Sequence, residues 1–278
     1  LLPMETVVRD DHVMKIDSFQ NGEILLRFQK RFRSPVADLV AKSFRAVFSD
    51  QGAFLIIPFI IWFFQGPNGL ILLLISDANE LLNGIIKWSV QKPRPFWVIH
   101  GLTNVSRKWE QCYSFPSGHS QFSAAYTSTI LILFGKYLPW YVVLVFMVVP
   151  IMTGLSRIYL GVHGIECVLA GWVIGILFAF TMCSIFPALF SWFESISVFS
   201  SIVFAICTGV IIPYLIFYAI LKLFPSTPQY DITVSEWRRT ALENTYDRED
   251  DEEEFVHREL RPRYLHKYDF EIWSFFGG

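Results

Sequence analysis

Two histidines and a handful of cations stand close to long apolar runs in this chain. "SFPSGHS" spans Ser114–Ser120, just ahead of an apolar stretch. Pro116 can start a turn, and Ser117 and Gly118 can offer a hydroxyl and backbone N–H groups at a helix N-terminus. Such an end is a ready anion site. His119 follows in the first turn. "SRIYLGVHGIE" puts Arg157 at the end of one apolar segment and His163 at the start of the next. A guanidinium is a fixed positive fork suited to phosphate oxygens. Further upstream stand Lys87 and, in "KPRPFW", Arg94. Pro93 and Pro95 flank Arg94 and hold it in a rigid extended turn. Taken singly, a histidine or an arginine near a membrane surface is an ordinary structural residue. Together these residues are equipped for in-line phosphoryl transfer. Cations and N–H groups steady the equatorial oxygens, one imidazole attacks phosphorus, and the other protonates the leaving oxygen.

Something apolar must position them. The chain has 278 residues, 53% of them hydrophobic, including 27 Phe and 9 Trp, while 17% are charged. That balance is too apolar for an ordinary soluble domain and fits a membrane protein. A spanning helix needs about 20 mostly apolar residues. Six segments qualify in outline, at 51–65, 68–92, 120–135, 139–157, 164–187 and 196–224. The expected fold is therefore all-α, a polytopic membrane helical bundle of about six spans. "QGPNG" and "GKYLP" are short turn signals, so the first and second segments, and the third and fourth, should form helical hairpins. The longer polar link from Lys92 to His119 holds "KPRPFW" and the Pro-Ser-Gly-His stretch.

The expected division is a mixed, charged N-terminal interfacial segment at 1–50, a membrane core at 51–224 and an acidic, aromatic tail at 225–278. Val36–Phe48 has apolar residues at helical spacing with Lys42 and Arg45 opposite. It reads either as a helix lying at the membrane interface or as an ordinary packing helix. Within the second segment, Ser76, Glu80, Asn83 and Lys87 form a polar stripe at helical spacing, with Asp77 and Asn79 nearby. Intramembrane ionisable groups face a bundle interior or a wet cavity, and a structural Glu80–Lys pair is the plainer reading. Gly171 and Gly175 in "GWVIG" should let two helix backbones approach closely, or else face lipid. Seven of the eight residues in Asp247–Glu254 are acidic, a run that repels itself. The tail is expected to lie along another protein or along the basic N-terminal segment.

The net charge of −2 gives no sign of a nucleic-acid partner. Cys112, Cys167, Cys183 and Cys207 have neither metal nor disulfide spacing. Following the segments, the N-terminal part, the 92–119 link, the Arg157–His163 turn and the tail share one side. That side carries Lys30, Arg31, Arg33, Lys42 and Arg45, against Lys136 alone on the other. Positive charge marks the cytoplasmic, matrix or stromal face. Every residue singled out for chemistry, and both termini, fall on that face.

The three clusters, in order and spacing, resemble the type 2 phosphatidic acid phosphatase (PAP2) superfamily. "KWSVQKPRP" is Lys87 through Pro95, "PSGH" is Pro116 through His119, and "SRIYLGVH" is Ser156 through His163. The resemblance covers about residues 70–185, and the wording is similar to that of bacterial-type lipid phosphatases. It implies a metal-independent, cofactor-free membrane phosphatase acting on a lipid phosphate. His163 would be the nucleophile that forms a phosphohistidine and His119 the general acid. Lys87, Arg94, Ser117, Gly118 and Arg157 would hold the phosphoryl oxygens.

The chain departs from that pattern in two places. Most members carry an Asp four residues after the nucleophilic His, and here that position is Cys167, a weak acceptor. Glu166, adjacent on the same helix face, is expected either to replace that Asp as partner of the His163 ring or to turn to water and leave the site slow or inactive. The segments also differ. The amphipathic 36–48 stretch stands where family members have an additional span, and a span is added after the core. Two functions follow. One is a phosphatase for lipid phosphates or diphosphates. The other is a PAP2-fold structural subunit with weak or no activity, held in a larger membrane assembly through the C-terminal tail.

Overall fold

The structure, a computed structural model, describes residues 22–47, 67–106, 113–195, 215, 237 and 239–245. Among these residues it is helical and contains no strand. Helix α1 covers 22–32. It is followed by α2 (Pro35–Val47), α3 (Pro67–Val90), the short α4 (Pro95–Val98) and α5 (Gly118–Phe134). A 3-10 turn (Gly135–Tyr137), α6 (Trp140–Tyr159) and α7 (Ile165–Ser195) complete the core. A last helical piece lies at 239–245. Four of the six expected apolar segments thus correspond to α3, α5, α6 and α7. The segments 51–65 and 196–224 lie outside the described residues, apart from Leu215, as does the acidic run.

Helix α5 is the hub, packed on α7, α6 and α3. Its contact with α7 is backbone to backbone, and glycine makes that possible. A Cβ on Gly171 would sit 2.8 Å from the Ser117 carbonyl oxygen, and one on Gly175 would collide with the Gln121 carbonyl. Both glycines are buried, so the close approach expected from "GWVIG" is present. Without a hydrophobic drive between helices in lipid, close approach of this kind supplies the dispersion contacts. Gly154 does the same for α6 against α7, beneath Trp172 and Val168. Trp172 Nε1 also donates to the Pro150 carbonyl on α6 at 3.0 Å.

The α3–α5 contact is polar. Asn83 Nδ2 donates to Gln121 Oε1 at 2.8 Å, and Gln121 Nε2 donates to Asn79 Oδ1 at 2.9 Å. The buried face of α3 therefore runs Leu72, Ile75, Asn79, Asn83, Lys87, with Glu80 only half-buried. Asn83 and Lys87 of the expected polar stripe lie on this face, with Asn79 buried where Glu80 is only half-buried. The amide matches Gln121 in a neutral network, where a buried carboxylate would need a counter-charge.

Two described helices are long and apolar enough to cross a membrane, Trp140–Tyr159 and Ile165–Ala188. Helix α2 presents Val36 (70% exposed) and Leu39 (67%) outward and packs inward through Ala37 and Ala41. It rests on the end of α6, where the Tyr159 hydroxyl donates to Asp38. Helix α1 reaches the same region. Gln29 Nε2 donates to the Thr103 carbonyl at 2.7 Å and the Tyr159 carbonyl at 3.0 Å.

Candidate active site at one end of the bundle

The candidate residues sit where α3, α5, α6 and α7 begin or end, and each is set there by local chemistry. Helix α3 stops after Val90 because Gln91 adopts φ 51°, its N–H still bonded to the Lys87 carbonyl at 2.8 Å. Pro93 and Pro95 then forbid a further turn. Arg94 is the N-cap residue of α4, in extended geometry, and its side chain is buried. Helix α5 begins at Gly118 because Ser117 caps it, its Oγ accepting from the Ser120 N–H at 3.4 Å. A Ser cap satisfies one of the orphan donors of the first turn and leaves others for a ligand. After α6 the chain reverses at Gly161, which holds φ 76° and lies against the Thr103 carbonyl. A Cβ there would be 2.9 Å from that oxygen. Gly161 thereby brings His163 back under Arg94.

The convergence is specific. Arg94 Nη1 lies 3.5 Å from His163 Nε2 and 3.4 Å from the Val162 carbonyl. His163 Nδ1 lies 2.8 Å from the Ser114 carbonyl oxygen. A carbonyl can only accept, so the proton is on Nδ1. An arginine can only donate, so Nε2 offers its lone pair. Two independent neighbours thus select one neutral tautomer, with the Nε2 lone pair facing a buried guanidinium. That is the form a histidine needs to attack phosphorus.

The Pro-Ser-Gly-His stretch is stitched to the same place. The Ser117 N–H donates to the Cys167 carbonyl at 3.0 Å. Gly118 faces α3 so closely that a Cβ would be 3.2 Å from Asn83 Oδ1 and 3.6 Å from Lys87 Nζ. Lys87 is therefore beside the first turn of α5, which carries Gly118 and the half-buried His119. Arg157, fully buried, precedes the turn to His163, with its carbonyl accepting from the Val162 N–H at 3.3 Å.

Glu166 is placed differently from the sequence expectation. The acceptor at His163 Nδ1 is the Ser114 carbonyl, and the Ser114 hydroxyl lies 3.3 Å from the same nitrogen. Glu166 Oε1 sits 2.8 Å from Lys92 Nζ, a pair one-third exposed, and its carboxylate folds back over Gly164. A chain of side chains runs from it toward the histidine. The Cys167 thiol donates to Glu166 Oε1 at 3.6 Å, and Cys167 Sγ is 3.3 Å from Ser114 Oγ. Ser114 is thus the residue against this ring nitrogen, with Cys167 beyond its hydroxyl. No sequence signal marks this contact, because a backbone carbonyl carries no residue signature.

Lys87, Arg94, Arg157 and His163 are all buried, with Lys87 beside the capped N-terminus of α5 and Arg94 beside His163. This set can hold a dianion and present one nucleophilic nitrogen to it. A family model matches the same segment. The PAP2 superfamily model matches residues 68–194. Phosphatidylglycerophosphatase B of Bacillus subtilis (strain 168) is 33% identical over 121 residues, covering 41% of this chain and 55% of the relative. The chain thus spans about half the length of that curated relative. Among solved structures, it is similar to a transmembrane PAP2-type phosphatidylglycerolphosphate phosphatase from Bacillus subtilis. The identity is 24%, the match covers 66% of this chain and 98% of that one, and the TM-score is 0.49. It is also similar to LpxE of Aquifex aeolicus, at 22% identity, 58% and 93% coverage and a TM-score of 0.48. The segment that matches the PAP2 superfamily model is the one that carries the ordered motifs, from Lys87 through His163.

Proposed function

We propose that this chain is an integral-membrane phosphatase that hydrolyses a lipid phosphate or diphosphate through a phosphohistidine. The observation that carries the reading is the His163 ring, with Nδ1–H held by the Ser114 carbonyl and Nε2 facing Arg94. In the first step Nε2 attacks phosphorus and the bond to the leaving oxygen breaks. His119 delivers the proton that oxygen takes up. In the second step water attacks the phosphohistidine, His119 accepts its proton, and inorganic phosphate leaves. Lys87, Arg94, Arg157 and the Ser117–Gly118 end of α5 hold the phosphoryl oxygens as charge shifts onto them. In the Nδ1-protonated neutral ring, attack leaves an imidazolium-like charge, which the Ser114 carbonyl stabilises.

The substrate class draws support from the B. subtilis relative, whose name is that of a lipid phosphate phosphatase. The alternative of a structural subunit draws none. The one-third-exposed Lys92–Glu166 pair beside this site is polar, as a lipid headgroup entering it would require. We place the bundle in a membrane with about six spans and the site end on the cytoplasmic, matrix or stromal face. The excess of Lys and Arg in residues 30–45 over Lys136 supports that side. Helix α5 separates the site from the 135–139 turn by 17 residues, about 25 Å at 1.5 Å per residue. The division into 1–50, 51–224 and 225–278 remains part of this proposal.

The test is phosphate release by the purified chain from phosphatidic acid, phosphatidylglycerophosphate and a prenyl diphosphate in mixed micelles. Rapid quench with a 32P-labelled substrate should trap an acid-labile, base-stable label that His163→Ala lacks. A well-folded parent that releases no phosphate and traps no label overturns the reading.

A further inference from the structure

The loop that carries Arg94 is held by residues far outside the PAP2 segment. Helix α4 has four residues, too few to satisfy its own backbone. Within the loop, Trp97 N–H reaches the Arg94 carbonyl at 3.0 Å and Ile99 N–H the Pro95 carbonyl at 2.9 Å. Asn244 supplies much of what is missing. Its Nδ2 donates to the Phe96 carbonyl and to the Ile99 carbonyl, both at 2.8 Å. Its Oδ1 accepts from the Gly101 N–H at 2.9 Å, and its backbone carbonyl accepts from the Asn104 N–H at 2.9 Å. Thr245 adds a bond at 3.3 Å from Asn104 Nδ2. One nearly buried side chain uses both amide hydrogens and its oxygen on a single loop.

Packing reinforces the contact. The Trp237 ring stacks on Trp97, centroids 6.1 Å apart. Ala241 is fully buried in a cluster with Phe96, Trp97, Tyr113 and Val162. Val162 accepts from Arg94 and immediately precedes His163. The C-terminal piece therefore braces Phe96 and Trp97, two and three residues after Arg94, and packs in one cluster with Val162, whose carbonyl accepts from the guanidinium. Buried polar groups with several matched partners fix one geometry, because any displacement leaves groups unsatisfied.

We propose that Asn244 is a positioning residue for Arg94, so that Trp237 and residues 239–245 form a working part of the phosphate site although they lie beyond the family segment. This rests on the phosphatase reading for the role of Arg94. Asn244 touches no substrate and acts by holding α4, and hence the guanidinium, at the distance seen from His163 Nε2.

The experiment has three arms on the full chain. First, amide hydrogen exchange of the parent should show Gly101, Ile99 and Asn104 protected. Free exchange of Gly101 and Asn104 there overturns the proposal with no variant needed. Second, Asn244→Ala and Asn244→Asp, which keeps the acceptor for Gly101 but loses both donors, are compared with Glu243→Gln, an exposed neighbour. Orthovanadate competition should show Ki raised about tenfold for the Asn244 variants, the scale of one weakened charge-assisted hydrogen bond, and unchanged for Glu243→Gln. Third, Asn244→Ala is repeated in an Arg94→Lys background. If Asn244 acts through Arg94 the second loss largely vanishes, whereas a general structural role makes the losses add. Additive losses, or a Ki unchanged while exchange of 96–101 rises, overturn the proposal. A parent that binds no orthovanadate and hydrolyses nothing fails the phosphatase reading instead, and the exchange arm still reports on the clasp.

Discussion

Helix α6 passes through two environments, and its two halves are built on opposite rules. From Trp140 to Ile151 large apolar side chains point outward, among them Trp140 (78% exposed), Val145 (58%) and Met147 (57%). From Thr153 to Tyr159 the helix is nearly all buried, and the buried residues include Thr153, Ser156 and Arg157. Helix α7 reverses the order. It starts at the polar end with Glu166 and Cys167 and then shows Val173, Leu177 and Phe180 to the outside. A water-soluble bundle would bury those apolar groups and expose the arginine. A protein whose surroundings are apolar has little to gain from hiding leucine, so its interior is chosen for close backbone approach and for matched polar groups. The polar end is therefore the costly region and the outer face of the middle the permissive one.

Substitutions at the two ends should differ by orders of magnitude in what they do. His163→Ala is the largest. Removing the nucleophile should cut phosphate release on the order of 10⁶-fold, as deleting a catalytic nucleophile does in subtilisin, with the fold retained by circular dichroism. Arg94→Ala comes next. A fixed donor to a developing charge is worth about 10²–10³-fold, and kcat/KM on any substrate accepted by the parent should fall by that scale. A loss below tenfold would remove Arg94 from the site.

Gly175→Leu tests the bundle and not the chemistry. The new side chain would drive into the Gln121 carbonyl and separate α5 from α7. Overpacking costs about 1–3 kcal/mol, and detergent-solubilised protein should show a lower unfolding midpoint. Activity should fall with it, because the Ser117–Cys167 bond crosses the same seam. Unchanged unfolding would mean that the seam is looser than described.

Glu166→Gln should do less than any of these. The carboxylate pairs with Lys92 and accepts from the Cys167 thiol, while the Ser114 carbonyl holds the His163 ring, so a loss under about tenfold is expected, at the bottom of the range for acid–base groups. A 10³-fold loss would restore Glu166 as the direct partner of the ring. Leu177→Ala, on the outer face at 61% exposure, should be smallest. Neither rate nor midpoint should move by more than the roughly 0.5 kcal/mol typical of open positions. A large effect would place Leu177 in an interface and blur the contrast between the two regions.

Much of this molecule was legible in the sequence because the relevant physics is local. Long apolar runs mark helices, prolines mark where they stop, and a Ser before Gly-His marks where one starts. Motif spacing then put Lys87, Arg94, Ser117, Gly118, His119, Arg157 and His163 at helix ends on one face. The Gly171–Gly175 pair was readable for the same reason, since residues four apart share a helix face. The tertiary structure alone decided which groups meet across distance. The acceptor on His163 is a carbonyl 49 residues away, and the amide holding the Arg94 loop comes from Asn244, 148 residues from Phe96. Periodicity gives the phase of one helix but says nothing of its partner, so Glu80 and Asn79 could not be told apart until Gln121 was opposite. A backbone carbonyl is the same in every residue. Only the folded path of the chain could bring that of Ser114 to the ring nitrogen where an Asp was missing.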